Sequence, residues 1–429
     1  MKSKFSTELT ELVKNNVISE ETALKIRTYY QTEQHDGSSK LFTVFGVLGS
    51  LLVGLGIILI LAHNWDNFSR ALKISLAFLP LVLGQLVTGY AIFKNKSGIW
   101  KEASATFLFF AVGCCIAMIS QIYNIPGDLS TYVLTWTVLC LPLVYLLKSN
   151  AVAMLCIAFA TFYGAELGYG FSAFPQVPWI YLLMITFLMP YYLRLIKTQP
   201  EANSTSLFNW LMPLSLVFTL GTFIKAYDSF EYLAYVILFG LFYNIGSLPI
   251  FADRKLRRNA FLILGSVGTV FMLLMASFDL RWSFVPETDL FLSKDLYVTL
   301  FLFLINASVF MYLYANNLLM RLNLFHYVFV IFTLLSFISF TLGLVTIILI
   351  NILVLVLGLV TIKIGADKYH FGILNYGLLI ISALIACRFF DTDLSYIVRG
   401  ILFVSVGIGF FLTNYFMLKR KKSNVKISN

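Results

Sequence analysis

Three carboxylates stand where a cation or a proton could be handled. Asp66 lies in the segment His63-Asn64-Trp65-Asp66-Asn67, and Asp128 closes the run from Gln121 and Tyr123 through Pro126-Gly127. Glu166 is four residues from the end of an apolar run at 150–170 and is read as the only acid within a span. A charge near the centre of a bilayer costs about 2.5 to 3.5 kcal/mol on insertion scales, and less towards the interface, so Glu166 is expected to face protein or water rather than lipid. Arg388 and Arg399, in the last loop with Asp391 and Asp393, are its expected cationic partners, with Lys225 next. Together these residues suggest a polar, outward-facing cavity in which Asp66, Asp128 and Glu166 bind a cation or a hydroxylated head group, or exchange a proton. The alternative is architectural. Trp65, Tyr123 and Trp136 then anchor the chain at the membrane interface, and the aspartates are turn or cap residues, Asp128 following a Pro-Gly turn.

Other chemistries are not indicated. The chain has no phosphate-binding loop of the Walker type, no dinucleotide glycine fingerprint, no H-E-x-x-H and no G-x-S-x-G. Its four histidines, at 35, 63, 326 and 370, fall in separate segments, and its five cysteines, at 114, 115, 140, 156 and 387, form no C-x-x-C. Neither a metal site nor a cofactor nor a disulfide framework is expected. Gln85, Asn244, Asn306, Asn351 and Asn375, inside apolar runs, are read as hydrogen-bonding pairs between helices rather than a substrate path.

The elements that position these residues follow from composition. Of 429 residues, 59% are hydrophobic and only 12% charged, about half the charge of an average soluble domain. Apolar runs of about 20 residues follow one another almost to the end, as transmembrane helices require. The reading is an all-α, polytopic membrane bundle of about fourteen spans over residues 41–418, with a helical hairpin at 1–40 and a basic tail at 419–429. The first run, 41–62, is too long for a cleavable leader and is expected to stay as a signal anchor. The run from Leu322 to Ile362 is uncharged for 41 residues, about 60 Å of helix, so two crossings broken near Thr341-Leu342-Gly343 fit better than one. Pro80, Pro142, Pro190, Pro213 and Pro249 are expected to kink spans of the first two thirds.

Charge orients the bundle. The net charge of +10 is spread over short loops and both ends, which speaks for topology rather than nucleic-acid binding. With the N-terminus in the cytoplasm, 24 of the 31 Lys and Arg fall on the cytoplasmic side and 7 outside, which predicts that both ends are inside. In the hairpin, Ser19 is the expected cap of a helix that opens with Glu20 and Glu21, preceded by a first helix at 7–15.

These features resemble a known family. Val17-Ile18-Ser19-Glu20-Glu21, a glycine-rich first span ending in Ala62-His63-Asn64-Trp65-Asp66, then Gln121-x-Tyr123 with Gly127-Asp128 and Trp136, look like the bacterial membrane proteins grouped as domain of unknown function 2157. The likeness is best over residues 10–145. The ending, Arg388-Phe389-Phe390 before Lys419-Arg420-Lys421-Lys422, is similar to related members. The resemblance implies a bacterial inner-membrane protein and singles out Asn64, Trp65, Asp66, Gln121, Tyr123, Gly127 and Asp128, but it carries no activity and no pattern for Glu166.

Three functions suit such a chain: a transporter or flippase, a membrane-embedded enzyme acting on a lipid-linked or envelope substrate, and a non-catalytic sensor or assembly factor. Membrane lipids, and a small-molecule or lipid-linked substrate, are the expected partners. The enzyme reading would use Asp66 or Asp128 as a general base or metal ligand, in outer loops that offer no nucleophile or metal triad. The sensor reading would use the hairpin.

Overall fold

A computed structural model of the chain describes residues 12–15, 17–32, 65–170, 176–224, 228–252, 254–278, 294–316, 323–339, 342–391 and scattered positions between 397 and 415. The expected first span, most of the last span, the first half of the first hairpin helix and the basic tail lie outside these residues, as do Asn64, Lys225 and Arg399, while residues 12–14 of that hairpin helix are helical. Among the described residues there is no strand. Also among the described residues, nine helices are long and apolar enough to cross a membrane, and three more apolar helices are shorter. The chain is thus an all-helical membrane protein.

It divides into two compact units, residues 1–76 and 77–429. In the first, α1 (Glu20–Thr32) starts where Ser19 accepts the Thr22 amide at 3.2 Å, which satisfies one of the unpaired N–H groups of a helix start. Glu21 and Lys25 pair at 2.7 Å one turn apart. Both are well exposed, so the pair adds only a few tenths of a kcal/mol. A 3-10 turn, Trp65–Asn67, precedes α2 (Arg70–Phe93), which runs on into the second unit.

The second unit continues with α3 (Gly98–Tyr123), α4 (Leu129–Leu147), α5 (Asn150–Gly168), α6 (Trp179–Thr198), α7 (Asn203–Phe223) and α8 (Asp228–Gly246). It then runs through α9 (Ala260–Ala276), α10 (Lys294–Ala315), α11 (Val328–Ser339), α12 (Gly343–Asp367) and α13 (Phe371–Asp391). Two glycine-lined contacts set its spacing. A β-carbon at Gly265 would overlap the Tyr243 backbone, and one at Gly365 the Leu374 backbone, so α8 packs directly on α9 and α12 on α13. Such close backbone approach is how helices associate where lipid offers no hydrophobic drive.

Four expected kink prolines, Pro80, Pro142, Pro190 and Pro213, lie inside helices. Pro249 does not. The expected span at 230–251 breaks after Gly246, and Pro249 begins a separate turn, Pro249–Ala252. The first residue of a helix is where the missing proline N–H costs nothing. The long uncharged run also breaks, with α11 and α12 on either side of residues 340–342. With 12 residues, α11 is only about 18 Å long and is preceded by the 3-10 turn Leu324–His326.

Candidate functional site

Asp128 is built into the start of α4. One of its carboxylate oxygens accepts the Thr131 amide at 3.1 Å and the other accepts the Ser130 hydroxyl at 2.7 Å. Its Pro126-Gly127 approach leaves the backbone extended, the geometry a cap residue needs. The hydrogen bonds from Thr131 and Ser130 hold its carboxyl below the ordinary carboxylate range. An acid stabilised in its charged form is a poor general base, which weakens the enzymatic role for Asp128.

Glu166 is differently placed. It sits in the last turn of α5, half-buried, and among the described residues its side chain makes no hydrogen bond or ion pair. Around that end of α5, Gly164 and Gly168 bring α7 close, with Thr219 and Thr222 against them. Tyr169 donates to the Phe218 carbonyl at 2.7 Å, and Tyr235 of α8 donates to the Val217 carbonyl at 3.1 Å.

Arg388 is held elsewhere. Its guanidinium donates to the Ser277 hydroxyl at 3.0 Å and lies 4.9 Å over the Phe278 ring, at the end of α9. Arg399 and Asn64 fall outside the described residues. Asp66 stands exposed in the 3-10 turn of the first unit, where Lys73 lies 5.5 Å over the Trp65 ring and Phe68 packs edge-on to the same ring. Gln121, Tyr123 and Gly127 are exposed at the α3–α4 connection, where Asn124 turns the chain through the left-handed region at φ 49°.

Trp136 packs between helices, its indole donating to the Phe109 carbonyl at 2.7 Å and its ring meeting Phe159 at 4.5 Å between centroids. Glu166 is not the only acid in a helix. Glu102, in the second turn of α3, receives the Asn150 amide at 2.7 Å, the Ala151 amide at 3.1 Å and the Ser149 hydroxyl. It caps α5 from a neighbouring helix. The local signal was the start itself, Lys148-Ser149-Asn150, where Lys148 is left-handed and Ser149 caps α5. No sequence pattern names a capping acid 47 residues earlier.

Of the amides expected to pair between helices, Asn351 turns back on the Ile347 carbonyl of its own helix, whereas Asn244 and Asn306 pair as expected. Asn244 donates to Asn306 at 2.6 Å, and Asn306 donates to the Ile237 carbonyl at 3.1 Å, both side chains fully buried. A second network ties the α11 approach to α8. Asn323 donates to the Tyr243 hydroxyl at 2.7 Å, and His326 meets Ser247 at 3.0 Å. No group of three or more metal-ligating side chains occurs among the described residues.

What this arrangement offers chemically is a half-buried carboxylate, Glu166, without a side-chain partner among the described residues, whereas Glu102 and Asp128 are spent on helix caps. No curated protein and no solved structure matches the chain. Over residues 10–153, about a third of its length, it matches the model of a family described as predicted membrane protein (DUF2157) and is similar to that family there.

Proposed function

We propose that the chain is a transporter or flippase of the bacterial inner membrane, with both ends in the cytoplasm, in which Glu166 exchanges a proton or binds a cation. The observation that supports this reading is the contrast between Glu166 and the two acids that cap helices. Glu102 and Asp128 each receive two or three hydrogen bonds, while Glu166, in the last turn of a membrane-spanning helix, receives none among the described residues. A half-buried carboxylate without fixed donors is free to meet a mobile cation or a proton, which is what a coupling site requires. Four proline-bearing helices supply sites where a bundle can flex.

The test uses proteoliposomes that enclose a pH-reporting dye and carry a fluorescent phospholipid. Wild-type protein is expected to pass protons, or move the lipid, in response to an imposed pH gradient. Glu166→Gln should abolish that response while circular dichroism shows the helices intact. Equal flux in the two proteins would remove Glu166 from the role.

A further inference from the structure

We infer that the loop between α8 and α9 is a binding site for one anionic phospholipid, with the phosphate held by Arg254, Lys255 and Arg257 and an acyl chain in the adjoining groove. The loop reads Asp253-Arg254-Lys255-Leu256-Arg257-Arg258, four cations against one acid, and Asp253 lies outside the described residues. Because it joins two apolar helices, it sits where the membrane meets water. Lys and Arg clustered there attract anionic lipid head groups.

The cations are presented on a fixed frame. Asn259, buried at the start of α9, donates to the Gly246 carbonyl at 2.8 Å and the Phe251 carbonyl at 3.3 Å, which closes the loop on itself. From α7, Asn209 donates to the Arg258 carbonyl at 3.0 Å and Trp210 to the Arg257 carbonyl at 3.4 Å. Arg258 is spent on Glu201, to whose carboxylate and carbonyl it donates. The other three are not. Lys255 and Arg257 are exposed, and Arg254 lies 5.2 Å over the Phe251 ring with one guanidinium nitrogen, Nη1, buried and without a hydrogen-bond acceptor among the described residues. An arginine nitrogen removed from water needs an acceptor, and a phosphate oxygen is the acceptor its planar fork fits best.

The apolar part lies one turn back along the chain. Leu248, Pro249 and Ile250 face Ser308, Val309 and Tyr312 of α10 across a groove of about 490 Å³. Its lining is almost wholly apolar, since the Ser308 hydroxyl is turned onto the Leu304 carbonyl at 2.8 Å. A free anion would use only the cations. A phospholipid uses both the cations and the groove.

The experiment is native mass spectrometry of the full-length protein in neutral detergent, offered phosphatidylglycerol, phosphatidylcholine or inorganic phosphate. Wild-type protein should retain phosphatidylglycerol in preference to phosphatidylcholine. Lys255→Gln and Arg257→Gln, both at exposed positions, should each reduce that retention about fivefold, as a contribution of about 1 kcal/mol per basic residue implies. Val309→Trp, which fills the groove, should reduce it without touching a charge, and Lys368→Gln, at an exposed lysine outside the loop, should leave it unchanged. Equal retention of the two lipids would overturn the proposal. So would a Lys255→Gln, Arg257→Gln double variant that keeps phosphatidylglycerol as wild type does, or inorganic phosphate displacing the lipid at equal concentration.

Discussion

The ring of Trp136 occupies the space that a side chain at residue 113 would need. Gly113 of α3 faces the indole of α4 so closely that a β-carbon there would overlap it, and Tyr132, one turn earlier on α4, donates to the Gly113 carbonyl at 3.0 Å. Phe109, Phe110 and Phe159 close around the same ring. The two residues are therefore one packing unit that fixes how α3, α4 and α5 meet.

Gly113→Ala should destabilise the bundle by about 1 to 3 kcal/mol, because an added methyl in a filled interior forces a rotamer or backbone shift. Trp136→Phe keeps a ring but loses the N–H donated to Phe109, at a net cost of about 1 kcal/mol. Thermal unfolding in detergent reads both. An unchanged midpoint for Gly113→Ala would mean that the ring moves aside freely.

Glu102 should prove architectural. Replacing it with Gln keeps one acceptor oxygen but removes the charge that faces the positive end of α5, and should cost about 0.5 to 2 kcal/mol, in the range of a lost helix cap. Glu102→Ala should cost more, since the Asn150 and Ala151 amides then lose their partner. The same melting experiment decides it, and a Gln variant as stable as wild type would show that charge plays no part.

The residues show which parts of this molecule are legible in sequence. Helices stand out because a bilayer demands about 20 apolar residues per crossing, and the expected bounds at 129–147 coincide with α4. Ser19 as a cap was legible because a cap is local. The roles of Trp136 and Glu102 were not, because each is fixed by a partner brought up by packing: Gly113 lies 23 positions before Trp136, and Ser149 lies 47 after Glu102. Pro249 was misplaced for a similar reason. An apolar run does not reveal where its helix stops, and here it stops at Gly246. Among the candidate site residues, the types were legible and their commitments were not, since nothing local distinguishes a carboxylate that caps a helix from one that caps nothing.

Asp128 gives a pH dependence with a definite sign. Its carboxyl is held low by Thr131 and Ser130, so its ionised form stabilises the folded state. That contribution is present in full above the unfolded aspartate value of about 3.9 and is lost as the pH falls through the lower folded value. Asp128→Asn should therefore flatten the acid limb of the stability curve below about pH 4. An acid limb identical in the two proteins would show that the cap carries no charge-dependent energy.

The Asn244–Asn306 pair tests how much a buried amide contact contributes inside this bundle. The orientation of Asn306 is fixed by the Ile237 carbonyl, which can only accept, so its own oxygen must face the Asn244 amide nitrogen. That leaves the Asn244 oxygen buried without a donor among the described residues. Asn306 serves two partners and Asn244 one, so Asn306→Ala should destabilise more than Asn244→Ala, although both side chains are fully buried. In a double-mutant cycle read by unfolding in denaturing detergent, the coupling should be about 0.6 to 1.7 kcal/mol, the range found for hydrogen bonds between membrane helices. Additive losses would show that the two amides touch without holding each other, and that glycine-lined packing alone keeps α8 and its neighbours together.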